Sequence, residues 1–176
     1  MFFSKKPQIV VYLRRDSLDV FGKSAAKFVF PDGLVQNLEV EDSHLLHDQT
    51  LQFLTSQQIV KESGILLLDD SVVFQKVMPV SANSNIKALQ DDYAQRTPFD
   101  PSGVVVVGLL AREQLILIAA NKNFFMPIVA AFSDYGSRIN SVSPAGLFGK
   151  GVITQDSAET ILANAKNAEK ANFLQI

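Results

Sequence analysis

Few residues in this sequence combine the types and the spacing that chemistry demands. His44 and His47, flanked by Asp42 and Asp48, carry the imidazole and carboxylate groups of a divalent-metal site. They are the only histidines, so any further ligand would have to be a carboxylate. Their place at the start of an expected helix gives a plainer reading, a polar N-terminus whose acids suit the helix dipole, and no metal is expected. Asp69-Asp70 close an expected strand, where neighbours point to opposite faces and cannot converge as an acid/base pair. Asp91-Asp92 fall on the solvent side of an expected helix. Both pairs read as surface charges. No serine lies in a G-x-S-x-G setting, and the chain has no cysteine, which excludes thiolate zinc sites, cysteine nucleophiles and disulfides. Gly146–Gly151, GLFGKG, places a lysine among glycines without the G-x-x-x-x-G-K-[ST] spacing of a phosphate loop, and reads as a flexible linker. No catalytic residue and no cofactor follows from these motifs.

The stretch IVVYLRRDSLDVF, residues 9–21, is more informative. It predicts two strands joined by a tight turn at Asp16-Ser17, a common way to open a nucleotide-binding domain. The turn lacks the glycine that would bring backbone close to a phosphate.

The elements that must position these residues follow from periodicity. Ile9–Leu13 is continuously apolar, as in a strand covered on both faces. A second strand holds Leu18 and Val20, and a third, 27–30, ends in Pro31-Asp32-Gly33. Residues 34–40 read as one extended run. A helix is expected over 43–62, capped by Asp42 or Ser43 and stopped by Gly64, followed by the buried strand GILLLDD and the extended SVVFQKVMPV. A second helix, 85–97, has Ser84 as its cap and Pro98 as its end. VVVVGLL and LILIAA form a hairpin about Ala111–Gln114. The next helix places Pro127 in its first turn, carries the stripe Phe125, Ile128, Val129, Phe132 and Tyr135, and ends at Gly136. Residues 138–145 are extended, and a tail helix starts at Asp156 with Glu159 at capping-box spacing. The order is that of an α/β or α+β chain with a break near residues 70–80.

Sixteen Lys+Arg against 18 Asp+Glu leave a net charge of −2 without a basic run, so no nucleic-acid partner is expected. The start MFFSKKPQ is too short in apolar residues for a signal peptide, and the longest apolar runs are strand-sized. A soluble cytoplasmic chain is the expectation.

From Ser71 to Gly146 the sequence resembles the actin-like PilM family of type IV pilus assembly and the cytoplasmic part of the GspL proteins of type II secretion. The matching pieces are SVVFQKVMPV, IKALQDDYAQRTPFD, VVVVGLL…LILIAANKN, FFMPIVAAFSDYGSRI and INSVSPAGLF. Thr97-Pro98-Phe99-Asp100, Ala120-Asn121-Lys122 and Ser143-Pro144-Ala145 hold the places of the family's turns and strand exits. The resemblance implies an α/β fold, a truncated actin-like (ribonuclease H-like) subdomain carrying an inserted subdomain of the 1C (SHS2-like) type found in FtsA and PilM. Residues 1–70 would form the 1A-like subdomain and 71–147 the 1C-like one. Residues 148–176 would be a linker and C-terminal helix, either packed on the sheet or serving as a stalk before a membrane span beyond residue 176.

In actin-like proteins the first strand turns through an Asp-x-Gly-Ser-type loop whose amides hold phosphate. Here the loop reads YLRRDSL, with arginines on the approach, and only Asp16-Ser17 matches. The resemblance therefore implies a degenerate phosphate position, a non-catalytic scaffold and no bound cofactor. Its implied partner is a PilN-like inner-membrane protein whose peptide docks between the subdomains, near Phe74, Lys76 and Met78; a motor ATPase and a homodimer are further implied contacts. The alternatives are an actin-like ATPase that completes its site by dimerising, and an FtsA-like cell-division adaptor.

Overall fold

A computed structural model describes residues 6–81, 83–149 and 151–175. Strand β1 (Ile9–Leu13) is buried at every position, as its unbroken apolar run requires. It pairs antiparallel with β2 (Ser17–Phe21), which pairs antiparallel with β3 (Ala25–Val29). The β3 pattern alternates between exposed and half-buried, which fits an edge strand. Residues 34–40 are not one run: β4 (Val35–Gln36) and β5 (Glu39–Val40) form a small hairpin. Its two-residue turn, Asn37-Leu38, has φ of 50° and 65°, the left-handed pair that a tight hairpin demands.

Helix α1 (Ser43–Ser56) is capped by Asp42, whose Oδ1 accepts from the Leu45 amide at 2.9 Å. It stops six residues before the expected end, where Gln58 takes φ 50°. Gly64 lies not at the helix end but inside β6 (Ser63–Leu68). A Cβ there would stand 2.5 Å from Ile9 Cγ1, so the glycine serves close strand approach. β6 pairs parallel with β1.

A 3-10 turn at Asp70–Val72 leads into β7 (Val73–Pro79). Next come α2 (Ile86–Gln95), capped by Asn85 rather than Ser84, and the hairpin β8 (Val104–Ala111) and β9 (Gln114–Asn121). Then follow α3 (Lys122–Tyr135) and β10 (Arg138–Pro144). Pro127 falls in the second turn of α3 rather than the first, because Asn121 is the cap. Gly136 ends the helix at φ 94°, as expected. The tail helix α4 (Gln155–Ala163) starts from a capping box of Thr154 and Ser157, not Asp156 and Glu159. It is short: 3-10 segments at Ala165–Ala171 and Phe173–Gln175 follow, packed back on the molecule rather than projecting as one helix.

The strands make two main sheets. The larger has the order β10-β6-β1-β2-β3 and the smaller β7-β9-β8. The expected second unit, 71–147, therefore divides. β7, α2, β8 and β9 form a sheet-and-helix insertion, whereas α3 packs on α1 and β10 pairs parallel with β6 in the larger sheet. Alternation along β1 sends Ile9, Val11 and Leu13 to the core under α1 and α3, joined there by Phe125, Ile128 and Phe132. Val10 and Tyr12 go to the opposite face with Ala158 and Ile161 of α4. Each large apolar side chain so buried contributes about 1.5–3 kcal/mol. The small sheet is similarly two-sided. Val106, Leu115 and Leu117 lie under α2, while Val107, Ile118 and Ala120 join the main core.

Candidate functional site

The β1–β2 turn carries Asp16 and Ser17, the expected phosphate position. Arg14 N donates to Ser17 O at 2.8 Å, and Phe30 N donates to Asp16 O at 2.9 Å, which ties the turn to the chain just past β3. Asp16 accepts from Ser17 Oγ at 2.9 Å, so the two residues matching the loop are spent on each other. A cleft of about 320 Å³ opens beside them, lined by Arg14, Arg15, Asp16, Asp32 and Ser71 among others.

The Arg14 side chain does not reach into that cleft as a free cation. Its guanidinium pairs with Asp19 and lies 5.8 Å from the centre of the Tyr12 ring. The β1–β2 register sets Tyr12 opposite Asp19, which brings these groups to one face. Tyr12 in turn donates its hydroxyl to Asp69 at the end of β6, and the Ser71 amide donates to the other Asp69 oxygen at 2.9 Å. Burial and the bond to Asp69 hold the Tyr12 hydroxyl protonated far above the ordinary tyrosine range. Burial alone would raise the Asp69 carboxyl, but the bonds from Ser71 and Tyr12 and the nearby Arg14 charge bring it below its ordinary value. Tyr12, Arg14, Asp19 and Asp69 thus form a self-paired cluster beside the Asp16-Ser17 turn. An anion entering the cleft would meet the Asp16 and Asp32 carboxylates, with Arg15 as the lining cation that makes no salt bridge among the described residues.

Sequence reading missed this cluster. Asp69 is not a plain surface charge: it is half-buried, caps the 3-10 turn and holds Tyr12. The available signal was Asp19, a charge inside the apolar strand SLDVF, which is almost fully buried and had to find a partner.

The other candidates separate. Phe74, Lys76 and Met78 share one face of β7, as alternation requires, and their register partners Ala119, Leu117 and Leu115 point toward α2. Val73, on the other face, packs on the main core. Phe74 is 39 % exposed and meets the buried Phe99 edge-on at 5.2 Å. Met78 packs with the α2 residues, and Lys76 is exposed. β7 is the outer strand of its sheet.

His47 Nδ1 lies 2.8 Å from Asp48, and Nε2 lies 3.0 Å from Asp134 of α3. His44 is exposed on α1, and among the described residues no group of three potential ligands could hold a metal ion. Asp91 and Asp92 pair with Lys87 and Arg96 on the exposed side of α2. Gly149 and Gly151 take φ of 114° and 131° in open space; Lys150 between them lies outside the described residues.

A five-stranded mixed sheet with helices on both faces, interrupted by a small sheet-and-helix insertion, is an actin-like fold. Solved structures that share this fold include the following two. The PilM–PilN type IV pilus biogenesis complex matches at a TM-score of 0.57 and 16 % identity, over 82 % of this chain and 49 % of the other. The cytoplasmic domain of EpsL, an inner-membrane component of the type II secretion system of Vibrio cholerae, matches at 0.51 and 12 % identity, over 82 % and 59 %. The chain thus spans about half the length of the structures it matches. No protein-family model and no curated protein sequence matches it.

Proposed function

We propose that this chain is a non-catalytic scaffold in the inner-membrane assembly of a type IV pilus or type II secretion machine. In this role it holds the cytoplasmic segment of an inner-membrane partner of the PilN kind and couples it to the motor. The observation that carries the reading is the fold held in common with a PilM–PilN complex and with the EpsL cytoplasmic domain, one from each machine. The self-paired cluster supports the non-catalytic part. A nucleotide phosphate would meet an Arg14 whose charge Asp19 already balances, and the loop offers no glycine amide in compensation. Among the described residues no helix is long and apolar enough to cross a membrane. The open outer edge of β7, with Phe74, Lys76 and Met78 beside it, is the proposed docking place.

The test is a calorimetric titration of the whole chain with a synthetic peptide from the cytoplasmic end of the cognate inner-membrane protein. Saturable binding that weakens about tenfold in Phe74→Ala, a loss of about 1.4 kcal/mol, is the expected result. No heat with peptides from either machine would remove the scaffold reading. Binding that Phe74→Ala and Lys76→Glu leave unchanged would move the docking place.

A further inference from the structure

The outermost strand of the larger sheet, β10, is irregular: its register with β6 shifts between Ile139 and Ser141. Such an irregularity bends the strand and re-aims its side chains. A cleft of about 720 Å³ opens beside it, where α4 ends and the 3-10 segment Ala165–Ala171 begins. The carboxamides of Asn140, Asn164, Asn167, Asn172 and Gln175 line it. None of the lining residues belongs to the small sheet or to the Asp16-Ser17 turn.

Two of these carboxamides are held in fixed orientations. Asn172, 6 % exposed, accepts from the Val142 amide at 3.0 Å and from the Leu174 amide at 3.1 Å, both at Oδ1. Both partners are N–H donors, so the oxygen faces them and Nδ2 turns away. Nδ2 bonds to no protein group among the described residues, and Asn172 lines the cleft, so a nearly buried donor is offered there. A buried donor is costly to leave unmet. Asn164 is fixed in the opposite sense: its Nδ2 donates to Thr160 O at 2.9 Å, which leaves Oδ1 to accept. The wall that carries them is firmly seated. Ala168, Ala171 and Phe173 are buried in the two cores, and Ser143 Oγ donates to Ala168 O. A preorganised wall loses little freedom when a ligand binds.

The lining discriminates between classes of ligand. An anion needs donors alone and would meet the Asn164 oxygen and the Glu169 carboxylate. A cation needs acceptors alone and would meet Lys6, Lys166 and Asn172 Nδ2. A hydroxyl both donates and accepts, and neighbouring hydroxyls on a ring match carboxamides that present N–H and C=O together. Ile65 and Leu162 add apolar surface for the C–H groups of such a ring. The volume lies within the range of small-molecule sites, about 300–1,000 Å³. We infer that this cleft is a binding site for a small neutral saccharide, with Asn172 Nδ2 donating to one hydroxyl and Asn164 Oδ1 accepting from another. The site does not depend on the scaffold reading.

The test titrates the whole chain with trehalose and with sucrose, non-reducing sugars that cannot condense with Lys6 or Lys166, and follows the asparagine side-chain amides by NMR. No aromatic ring among the described lining residues stacks on the sugar, so a saturable shift of the Asn172 amide pair with a Kd of about 1–10 mM is expected. Inorganic phosphate at the same concentration should leave that pair in place. Asn172→Asp keeps an oxygen for the Val142 and Leu174 amides and removes only the donor. It should weaken sugar binding, read at the Asn164 pair, at least about tenfold, with Val142 still slow in amide exchange as the control for an intact fold. Should the added charge unfold the chain, Asn167→Ala, whose side chain makes no protein bond among the described residues, should weaken binding about threefold. No shift of any lining asparagine with either sugar at about 100 mM would overturn the inference. Phosphate that moves Asn172 more than the sugars do would overturn the ligand class, and sugar binding that neither variant weakens would overturn the site.

Discussion

At the residue scale the molecule turns on how its buried charges are paired. Removing Arg14 by Arg14→Ala leaves Asp19 buried without its cation, and a loss of about 1.5–3 kcal/mol is expected in urea denaturation. Tyr12→Phe should cost less, about 1 kcal/mol, because Asp69 keeps the Ser71 amide. Asp69 has a depressed carboxyl, so its contribution is present above the ordinary 3.8 and is lost as pH falls through the lowered value. His47 runs the other way. Carboxylates face both of its ring nitrogens, and a neutral imidazole has only one N–H to give, so both contacts are satisfied only in the protonated form. The bond to Asp48, opposed by burial and aided by Asp134, accordingly raises its pKa above the ordinary 6.5. The stability it contributes is full below 6.5 and disappears as pH rises through the raised value. The Tm difference between the unmodified chain and Asp134→Asn should therefore be larger at pH 6 than at pH 9; an equal difference at both would exclude the link. Of these residues, the sequence exposed the His44–His47 spacing and the odd turn at Asp16-Ser17. It hid the cluster, because Tyr12, Asp19 and Asp69 come together only through the β1–β2 register and the β1–β6 pairing.

At the element scale, strong periodicity was legible and competing uses of one residue type were not. The stripe of α3 and the apolar hairpin of β8 and β9 could be read directly, since burial of a repeating face leaves few alternatives. Gly64 was misread as a helix stop. Glycine marks a helix end and a close strand contact equally well, and only the approach of Ile9 decides between them. Gly64→Ala should accordingly destabilise by about 1–3 kcal/mol in urea denaturation, because the added methyl meets the Ile9 side chain at 2.5 Å and its carbonyl oxygen at 3.0 Å. The tail gave a similar ambiguity. Asp156 and Glu159 have capping-box spacing, but Thr154 and Ser157 make the box. Thr154→Ala should cost about 1 kcal/mol, and Asp156→Ala, which leaves the box intact, less than half of that.

At the scale of the whole molecule, the order of elements was legible and the assignment of elements to sheets was not. Residues 138–144 read as a strand from their pattern alone, yet nothing local says that this strand returns to β6 rather than joining β9. The insertion is therefore narrower than the resemblance suggested, with β7 to β9 outside the main sheet and α3 and β10 within it. That arrangement puts the self-paired cluster beside the Asp16-Ser17 turn, with the Arg14 charge already balanced by Asp19. The measurement that tests the account most directly is a calorimetric titration of the whole chain with Mg·ATP at low ionic strength. The account predicts no saturable heat at millimolar nucleotide, and none in Arg14→Ala. Saturable binding that is lost in Arg14→Ala would contradict it, because Arg14 would then hold the phosphate and the turn would be a working nucleotide site.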